Sequence, residues 1–409
     1  MRRGFAGGEP SPSGDHSHIS PGTPAFRAAS RALFAVGLAT FAILYCVQPL
    51  QPVFSREFGV SAAESSLSLS LTTGLLAPML LVASSVSDVV GRKSLVLWSI
   101  FASTALTAAA AVAPGWGSLL ALRLLTGFTL SGVQAVAMAY VGEEVAPGAV
   151  GFAMGLFVSG SSLGGLAGRL LSGFVNGAVS WRVALAAIAA TAGASGLYVW
   201  RTLPESRHFR PGKLHLRTSL NGLQIHLADP QLRRLYAAAL LLMGSFVSVY
   251  SLIGYRLLAP PYSLNPSAVS GLFLTYLIGT VSSTWMGGLA DRFGRRPVVL
   301  SCLGVALLGI GLTVFSPLLV VVAGLAVFTF GFFGVHATAS GWVSRLAQTG
   351  RAQASALYLF SFYLGSSVVA SGVALLWPVA GWNGVCASVS AMLASAVAAV
   401  VLMARRPPE

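Results

Sequence analysis

Two charged side chains lie where charge is rare in this chain, and they are the first candidates for chemistry. Arg123 and Arg169 each fall within a long apolar run. None of the 11 acidic residues lies deep in such a run, so neither arginine has an obvious carboxylate partner. A charge buried in this way is expensive and usually functional, which favours a site for an anionic or hydroxyl-rich solute. The alternative is that each guanidinium pairs with backbone carbonyls or extends toward the edge of the apolar layer.

Uncharged polar side chains within the apolar runs are the next candidates for contact with a solute. Arg123, Gly127, Ser131 and Gln134 recur at intervals of four, four and three residues, which places them on one face of a helix. Other runs contribute Tyr45, Gln48, Ser248, Ser251, Tyr255, Thr329 and Ser340. Each of these side chains could instead make an interhelical hydrogen bond worth roughly 1 kcal/mol, so both roles stay open.

Two short charged loops repeat one another at a distance of about half the chain. The first occupies residues 84–93 and the second residues 287–296, and their aspartates Asp88 and Asp291 are 203 positions apart (291 − 88). Three further segments recur at offsets of 202, 205 and 201: residues 132–135 match 334–337, residues 160–162 match 365–367, and Trp181 matches Trp382. Agreement over both halves of the chain indicates an internal duplication.

The repeated loops carry acidic, basic and glycine residues in the same order. A carboxylate at such a turn can accept hydrogen bonds from backbone N–H groups at a neighbouring helix start and can pair with an arginine. A proton carrier is the alternative role for these aspartates. The residues concerned are Asp88, Gly91, Arg92, Lys93, Gly287, Asp291, Arg292, Gly294, Arg295 and Arg296.

His336 is the one histidine inside an apolar run. The pKa of an unperturbed histidine is about 6.5, so its imidazole could carry a coupling proton. The first half of the chain has Gln134 at the matching position, and glutamine does not titrate. A neutral, structural histidine is the alternative.

The composition requires a membrane environment for the elements that position these residues. The chain is 55% hydrophobic and 9% charged, whereas a soluble domain carries about 25% charged residues. The net charge of +14 does not indicate a nucleic-acid partner, because the basic residues lie in short turns between apolar runs. The three cysteines lie inside apolar runs and predict buried free thiols. We expect no metal, no cofactor and no enzymatic activity, because the sequence contains no nucleotide-binding loop and no hydrolytic triad.

Twelve apolar runs are long enough to cross a bilayer as helices, which takes about 20 residues each. We number them spans 1 to 12, and they cover residues 31–53, 65–87, 94–113, 117–141, 150–175, 182–201, 234–257, 266–289, 297–315, 318–341, 352–376 and 383–403. The predicted organisation is a disordered tail (1–29), a six-helix bundle (30–202), a linker (203–232) and a second six-helix bundle (233–404).

The basic residues predict the orientation of these spans in the membrane. Of the 25 Lys and Arg residues, 20 fall on the side that holds both termini and both repeated loops, 3 fall on the other side and 2 lie within spans. Basic residues concentrate on the cytoplasmic side of membrane proteins. The sequence therefore predicts cytoplasmic termini, a cytoplasmic linker and cytoplasmic repeated loops.

The repeated loops and the span count together resemble the major facilitator superfamily. Residues 287–296 match its signature of Gly, two variable residues, a small residue, Asp, two variable residues, Gly, Arg and a basic residue; residues 84–93 match except at Ser84. Arg123 with Gly127, and the pairs Gly160-Ser161 and Gly164-Gly165, are similar to motifs of drug and proton antiporters. Residues 164–169 and 358–360 are similar to a bacterial inner-membrane branch of sugar or drug efflux proteins.

This resemblance implies a fold and a role for the candidate residues. It implies an all-α membrane protein with twelve transmembrane helices in two pseudo-symmetric six-helix bundles. Spans 1, 4, 7 and 10 would line a central cavity that contains the polar residues named above. Asp88 and Asp291 would latch the cytoplasmic ends of the two halves together in the outward-open state.

We expect a monomeric secondary transporter of the bacterial inner membrane. The predicted function is proton-coupled efflux of a small organic solute by alternating access. An uptake carrier or facilitator for a sugar or carboxylate is the alternative, and a membrane receptor built on the same scaffold is a third possibility. The predicted partners are the solute, protons and the lipid bilayer, with no nucleic acid.

Overall fold

A computed structural model describes residues 18–207, 209 and 223–403. These residues are almost entirely helical, and within them β-pairing is limited to one isolated bridge between Ile19 and Val145. Eleven of the helices are long and apolar enough to cross a membrane. Span 8 supplies the twelfth crossing, because its helix is divided into three consecutive pieces. The predicted all-α fold with twelve spans is therefore confirmed.

The first bundle contains spans 1 to 6. Span 1 is Pro24–Tyr45, followed by a 3-10 turn at Gln48–Leu50 and a short helix at Gln51–Phe58. The other five spans are Ala62–Val90, Arg92–Ala111, Trp116–Glu144, Val150–Ala178 and Trp181–Thr202. Span 1 is interrupted because Pro49 and Pro52 lack the backbone N–H groups that a continuous helix would use.

The second bundle contains spans 7 to 12. Span 7 is Pro230–Leu258, and span 8 consists of Pro266–Gly271, a 3-10 turn at Leu272–Thr275 and Tyr276–Phe293. Spans 9 and 10 are Arg295–Leu312 and Leu318–Leu346. Span 11 consists of Arg351–Leu364, a π-helical turn at Gly365–Val369 and Ala370–Ala374, and span 12 is Trp377–Val401.

The duplication seen in the sequence recurs in the packing of the helices. Gly160 on span 5 lies so close to span 1 that an added Cβ would collide with the carbonyl oxygen of Phe34. Gly365 on span 11 stands in the same relation to the carbonyl oxygen of Leu240 on span 7. Since only glycine permits this approach, the matching glycines keep equivalent helix pairs together in both halves.

The ends of the spans define two sides of the molecule. The loop side carries the repeated loops, and the far side carries the opposite ends of the spans, including the turn at Gly59 between spans 1 and 2. The larger apolar core cluster contains residues of both halves, among them Phe54 and Leu257 near the far side. The second cluster belongs to the first half alone and lies toward the loop side, where it includes Phe26 and Tyr140.

The structure differs from the predicted boundaries at the start of each bundle. Thr23 accepts a hydrogen bond from the Phe26 N–H and begins span 1 at Pro24, so the predicted tail over residues 1–29 extends too far. Before this helix, Ile19 bonds to the backbone of Glu144 and Ala146. Residues 1–17 lie outside the described part of the chain. Span 7 begins at Pro230, before the predicted residue 233, because Asp229 accepts hydrogen bonds from the first turn.

Candidate functional site

Arg169 lies between the two halves and is 3% exposed. Its Nε donates to Oε1 of Gln48 at 2.7 Å, and its NH1 donates to the Gly165 carbonyl at 2.7 Å. The guanidinium also faces three aromatic rings, with its carbon 4.0 Å from the centre of Tyr45, 4.7 Å from Tyr276 and 5.5 Å from Phe273. Tyr276 and Phe273 belong to the second half, so this arginine of span 5 contacts both halves. This contact between the halves was not anticipated from the sequence.

Gln48 connects Arg169 to the second half by a hydrogen bond. Its Oε1 accepts from Arg169, and its Nε2 donates to the Ser251 hydroxyl at 3.1 Å. Gln48 is available for both bonds because it lies in the 3-10 turn that interrupts span 1. Tyr45, Gln48 and Arg169, which were predicted separately, lie together in the structure. Ser251 of span 7 joins them through Gln48.

Hydrogen bonds on the far side join the two halves. The Tyr255 hydroxyl donates to the Gln51 carbonyl at 3.0 Å and lies 2.7 Å from the Ser55 hydroxyl. On the opposite flank, Ser371 donates to the Ser70 hydroxyl at 2.7 Å, and Ser367 donates to the Ser70 carbonyl at 2.7 Å. Tyr255 was predicted to line the cavity, but it contributes to this far-side contact instead.

A further hydrogen bond joins the halves between spans 4 and 11. Gln134 of span 4 donates to the Tyr363 hydroxyl of span 11 at 2.7 Å. Met138, one helical turn closer to the loop side on the same face of span 4, is 42% exposed, whereas Gln134 is 6% exposed. The exposed fraction of this face of span 4 therefore increases from Gln134 toward the loop side.

Arg123 does not belong to this site. It is 1% exposed, and its guanidinium donates to three backbone carbonyls: Ile43 at 3.1 Å, Leu44 at 2.9 Å and Ser68 at 3.1 Å. The first two carbonyls lie at the interrupted end of span 1, where they lack intrahelical partners. A positive charge is also favourable at the C-terminal end of a helix. The prediction of a solute site at Arg123 therefore gives way to its alternative, pairing with backbone carbonyls.

Other polar residues predicted for the cavity have local roles. Gly127 lies against the Thr72 carbonyl of span 2, where a Cβ would not fit. Ser131, Ser248 and Ser340 bond to carbonyls of their own helices. Thr329 shares the Tyr250 hydroxyl with Thr275, within the second half. The helical face from Arg123 to Gln134 thus contacts spans 1 and 2 at one end and span 11 at the other.

His336 is partly buried within the second half. Its Nδ1 lies 3.1 Å from the Tyr358 hydroxyl of span 11. Its ring stacks on Phe362 with centroids 4.4 Å apart and on Phe332 at 6.3 Å. These contacts hold the imidazole in place, and its role in proton transfer stays a prediction.

The charges of the repeated loops pair within their own halves. Arg92 forms a bidentate pair with Glu143, with nitrogen–oxygen distances of 2.6 and 3.0 Å, and Lys93 contacts Glu205 at 2.7 Å. Asp291 accepts from Arg295 at 3.0 Å and from Arg345 at 3.3 Å. The side chain of Asp88 lies outside the described residues, so its latch role stays a prediction.

The remaining residues of the loops form matching turns. Gly91 and Gly294 have nearly the same backbone angles, φ 97° and ψ 147° against φ 88° and ψ 153°, which favour glycine. Arg292 stacks on its neighbour Phe293, Arg296 donates to the Val401 carbonyl of span 12, and Gly287 has open space around it. The two loops therefore share a backbone design as well as a sequence pattern.

Several functional contacts were missed in the sequence. Tyr276, Tyr363 and Ser371 lie more than one hundred residues from their partners and belong to apolar runs without any distinctive spacing. Ser367 was visible as part of the repeated Gly-Ser-Ser segment, yet its contact with span 2 was not. Within the described residues, no group of His, Cys, Asp and Glu could hold a metal ion.

Comparisons with known proteins agree with this architecture. The Major Facilitator Superfamily matches residues 33–370. The inner membrane transport protein YnfM of Escherichia coli (strain K12) is 45% identical over 388 residues, which cover 95% of this chain and 93% of that protein. The MFS-type transporter YybF of Bacillus subtilis (strain 168) is 43% identical, over 92% of this chain and 93% of that protein. A mutant of the nucleoside transporter NupG has a TM-score of 0.77 over 91% of this chain and 99% of its own, and its 12% identity supports the fold alone.

Proposed function

The chain belongs to the major facilitator superfamily, and from that premise we propose that it exports a small organic solute across the bacterial inner membrane in exchange for protons. Its relatives are transporters rather than enzymes. It is a multi-pass membrane protein, and transport of a small solute follows from its family. The direction, the coupling ion and the orientation are the parts that we propose.

The distribution of contacts between the halves carries the proposal of alternating access. The halves are joined by hydrogen bonds on the far side, such as Tyr255 with Ser55 and Ser371 with Ser70. The described charges of the repeated loops pair within each half instead, as in Arg92 with Glu143. This arrangement supports a state in which the far side is closed and the loop side is separated. Rocking of the two halves against each other would reverse it.

We propose that the loop side faces the cytoplasm and that the chain is a monomer. The bias of 20 basic residues against 3 supports this orientation. A reporter enzyme that is active only in the periplasm, fused after Glu409, should stay inactive. Strong periplasmic activity of this fusion would reverse the assignment of the two sides.

Proton exchange rests on the titratable groups that the spans provide. The acidic residues of the chain lie at the ends of spans or outside them, and an arginine does not release its proton in a protein. His336 is therefore the candidate proton carrier, as the sequence suggested. In the alternative function, uptake of a sugar or carboxylate, the solute would bind the same central site but move into the cell. Energised vesicles of both orientations separate these cases, because export moves protons and solute in opposite directions.

A labelling experiment tests the closed far side and the separated loop side. Cys46, Cys302 and Cys386 are buried free thiols and would first be replaced by alanine. Single cysteines would then be introduced as Met138→Cys toward the loop side and as Ser251→Cys, which lies beside Gln48 in the Arg169 cluster, below the far-side contacts. A membrane-impermeant maleimide applied from the loop side should label position 138 and leave position 251 unlabelled. Equal labelling of both positions, or labelling of position 251 alone, would contradict the proposed state.

A further inference from the structure

We infer that Arg169 and the hydroxyl of Tyr276 form an anion-binding subsite between the halves, and that the transported solute carries a carboxylate attached to an apolar body. The inference deepens the proposed function and rests on it. It assigns a chemical class to the solute and names two residues that recognise its charge.

The first observation is a buried positive charge without a carboxylate. Within the described residues, Arg169 takes part in no ion pair. Its polar contacts are the amide oxygen of Gln48 and the carbonyl of Gly165, which are neutral. A charge that is removed from water and is not paired is costly in a membrane protein. An anionic solute would supply the missing charge.

The second observation is an unpartnered hydroxyl beside that charge. The Tyr276 hydroxyl is buried and has no hydrogen-bond partner among the described residues. The Tyr276 ring faces the Arg169 guanidinium at 4.7 Å, and the residue is 8% exposed. A buried donor without an acceptor is unfavourable and uncommon. A carboxylate has two oxygens that can accept from a guanidinium and from a hydroxyl, so one ligand group would satisfy both residues.

The position of the subsite fits a solute that is bound and released. Arg169 belongs to span 5 and Tyr276 to span 8, so the two groups come from opposite halves. When the halves separate on the far side, the distance between the two groups must increase. The subsite is therefore complete in one state and open in the other, as an alternating-access mechanism requires.

The surroundings select an organic anion over an inorganic one. The guanidinium is enclosed by the rings of Tyr45, Tyr276 and Phe273. A cavity of about 20 Å³ between the halves borders Gln48 and Phe273, both of which contact Arg169, and continues to Arg56 on the far side. This volume holds about one water molecule, so an apolar body would enter only as the halves move apart. Aromatic walls with a few polar groups bind an apolar body and orient one charged end. Sulfate or phosphate would leave those walls without a matching surface.

Binding of carboxylates to purified protein in detergent tests the subsite. The probes are acetate, hexanoate and benzoate, each compared with its primary amide, and the measurement is the dissociation constant from thermal-shift titration. We expect hexanoate or benzoate to bind at least tenfold more tightly than its amide. Arg169→Gln should abolish this preference, and Tyr276→Phe should weaken carboxylate binding about threefold to tenfold. Arg182→Gln, which removes a far-side charge outside the subsite, should leave binding unchanged.

Three outcomes would overturn the inference. They are equal binding of acid and amide, unchanged carboxylate binding in Arg169→Gln, and preferential binding of sulfate over every carboxylate. Tyr276→Phe removes one oxygen atom only, so it keeps the test decisive if Arg169→Gln does not fold. Labelling of the Met138→Cys protein separates this inference from the proposed function. If that label reports alternating access while no carboxylate binds, the subsite is wrong and the transporter proposal survives.

Discussion

The two buried arginines of the first half have different surroundings. Arg123 makes contacts only within its own half, whereas Arg169 also contacts the second half. Arg123 donates to three backbone carbonyls of its own bundle. Arg169 touches a side-chain amide, one carbonyl and aromatic rings of both bundles. The contacts of Arg123 can persist throughout a transport cycle, and so can the hydrogen bonds of Arg169 to Gln48 and Gly165, which belong to its own half. The contacts of Arg169 with the rings of Phe273 and Tyr276 cross between the halves and must break and re-form. A residue that holds a half together can therefore be strongly bound, and a residue at the moving interface cannot.

The hydrogen bonds that join the halves follow the same rule. Tyr255 with Ser55, Ser371 with Ser70, and Gln134 with Tyr363 are all neutral pairs. Each such bond contributes about 0.5–1.5 kcal/mol, so a handful of them stabilise the closed far side by a few kcal/mol. A solute must bind the other state about 10²–10⁴-fold more tightly to reverse an equilibrium of that size.

Removal of Arg123 is expected to have the largest effect and tests the comparison directly. In Arg123→Leu, the Ile43 and Leu44 carbonyls at the break in span 1 lose the guanidinium that donates to them, and the break loses its compensating charge. We expect a loss of about 2–5 kcal/mol in the free energy of unfolding, measured by thermal and denaturant unfolding in detergent, because each buried carbonyl left without a donor costs about 1–3 kcal/mol. Arg169→Gln is the matched substitution, and it should change stability by no more than about 1 kcal/mol because a buried unpaired charge is removed with its contacts. Equal destabilisation by both substitutions would remove the distinction between the two arginines.

Substitution of Asp291 tests the loop side, where we expect the next largest effect. In this structure its contacts with Arg295 and Arg345 are partly exposed and contribute about 0–1 kcal/mol. A latch contact across the halves, made when the loop side closes, would contribute about 1–3 kcal/mol. Asp291→Asn should therefore favour the state with a separated loop side and increase maleimide labelling of Met138→Cys. Glu205→Gln, which disrupts the exposed pair with Lys93, serves as the control. Unchanged labelling from both sides in a folded protein would exclude the latch.

The sequence was sufficient for the features that depend on local patterns. Twelve spans follow from the length of apolar runs, and the capping box of Ser61 and Glu64 begins span 2 as its sequence suggests. The repeated loops were recognisable because their charges stand out in an apolar chain. Both loops also have a glycine with positive φ at the same place, which explains the shared pattern.

The roles of the buried residues were beyond the sequence because they depend on contacts between distant spans. Arg123 and Arg169 have the same local context, an apolar helix without acidic neighbours. Their difference arises from the interrupted end of span 1 and from the rings of span 8. Tyr255 was assigned to the cavity because its position on span 7 was clear from the sequence. Its contact with Ser55 of the other half was not, because it depends on how the two halves pack.

Removal of a far-side hydroxyl is expected to have a smaller effect, opposite in sign to that of Asp291. Tyr255→Phe loses the bonds to Ser55 and to the Gln51 carbonyl while keeping the ring. We expect a shift of about 1 kcal/mol toward the state with an open far side, visible as faster labelling of Ser251→Cys. Tyr262→Phe is the matched control, because that hydroxyl bonds to the Ser316 carbonyl within the second half. If Tyr262→Phe increases the labelling as much as Tyr255→Phe, the far-side bonds do not control the equilibrium.

The contacts of His336 lie inside the second half, but protonation of its imidazole could still bias the equilibrium between the two transport states. Of the substitutions considered, we expect replacement of His336 to change the free energy of unfolding least. His336→Gln introduces the residue that the first half carries at position 134 and keeps a group that can bond to Tyr358. Because glutamine does not titrate, transport in proteoliposomes should lose its dependence on an imposed pH gradient while counterflow exchange of solute continues. Tyr358→Phe serves as a control, since it removes the same hydrogen bond and leaves the imidazole in place. If gradient-driven transport by His336→Gln stays at the wild-type rate, the histidine is structural. The coupling proton must then be carried by an acid at the end of a span, such as Glu143 beside Arg92.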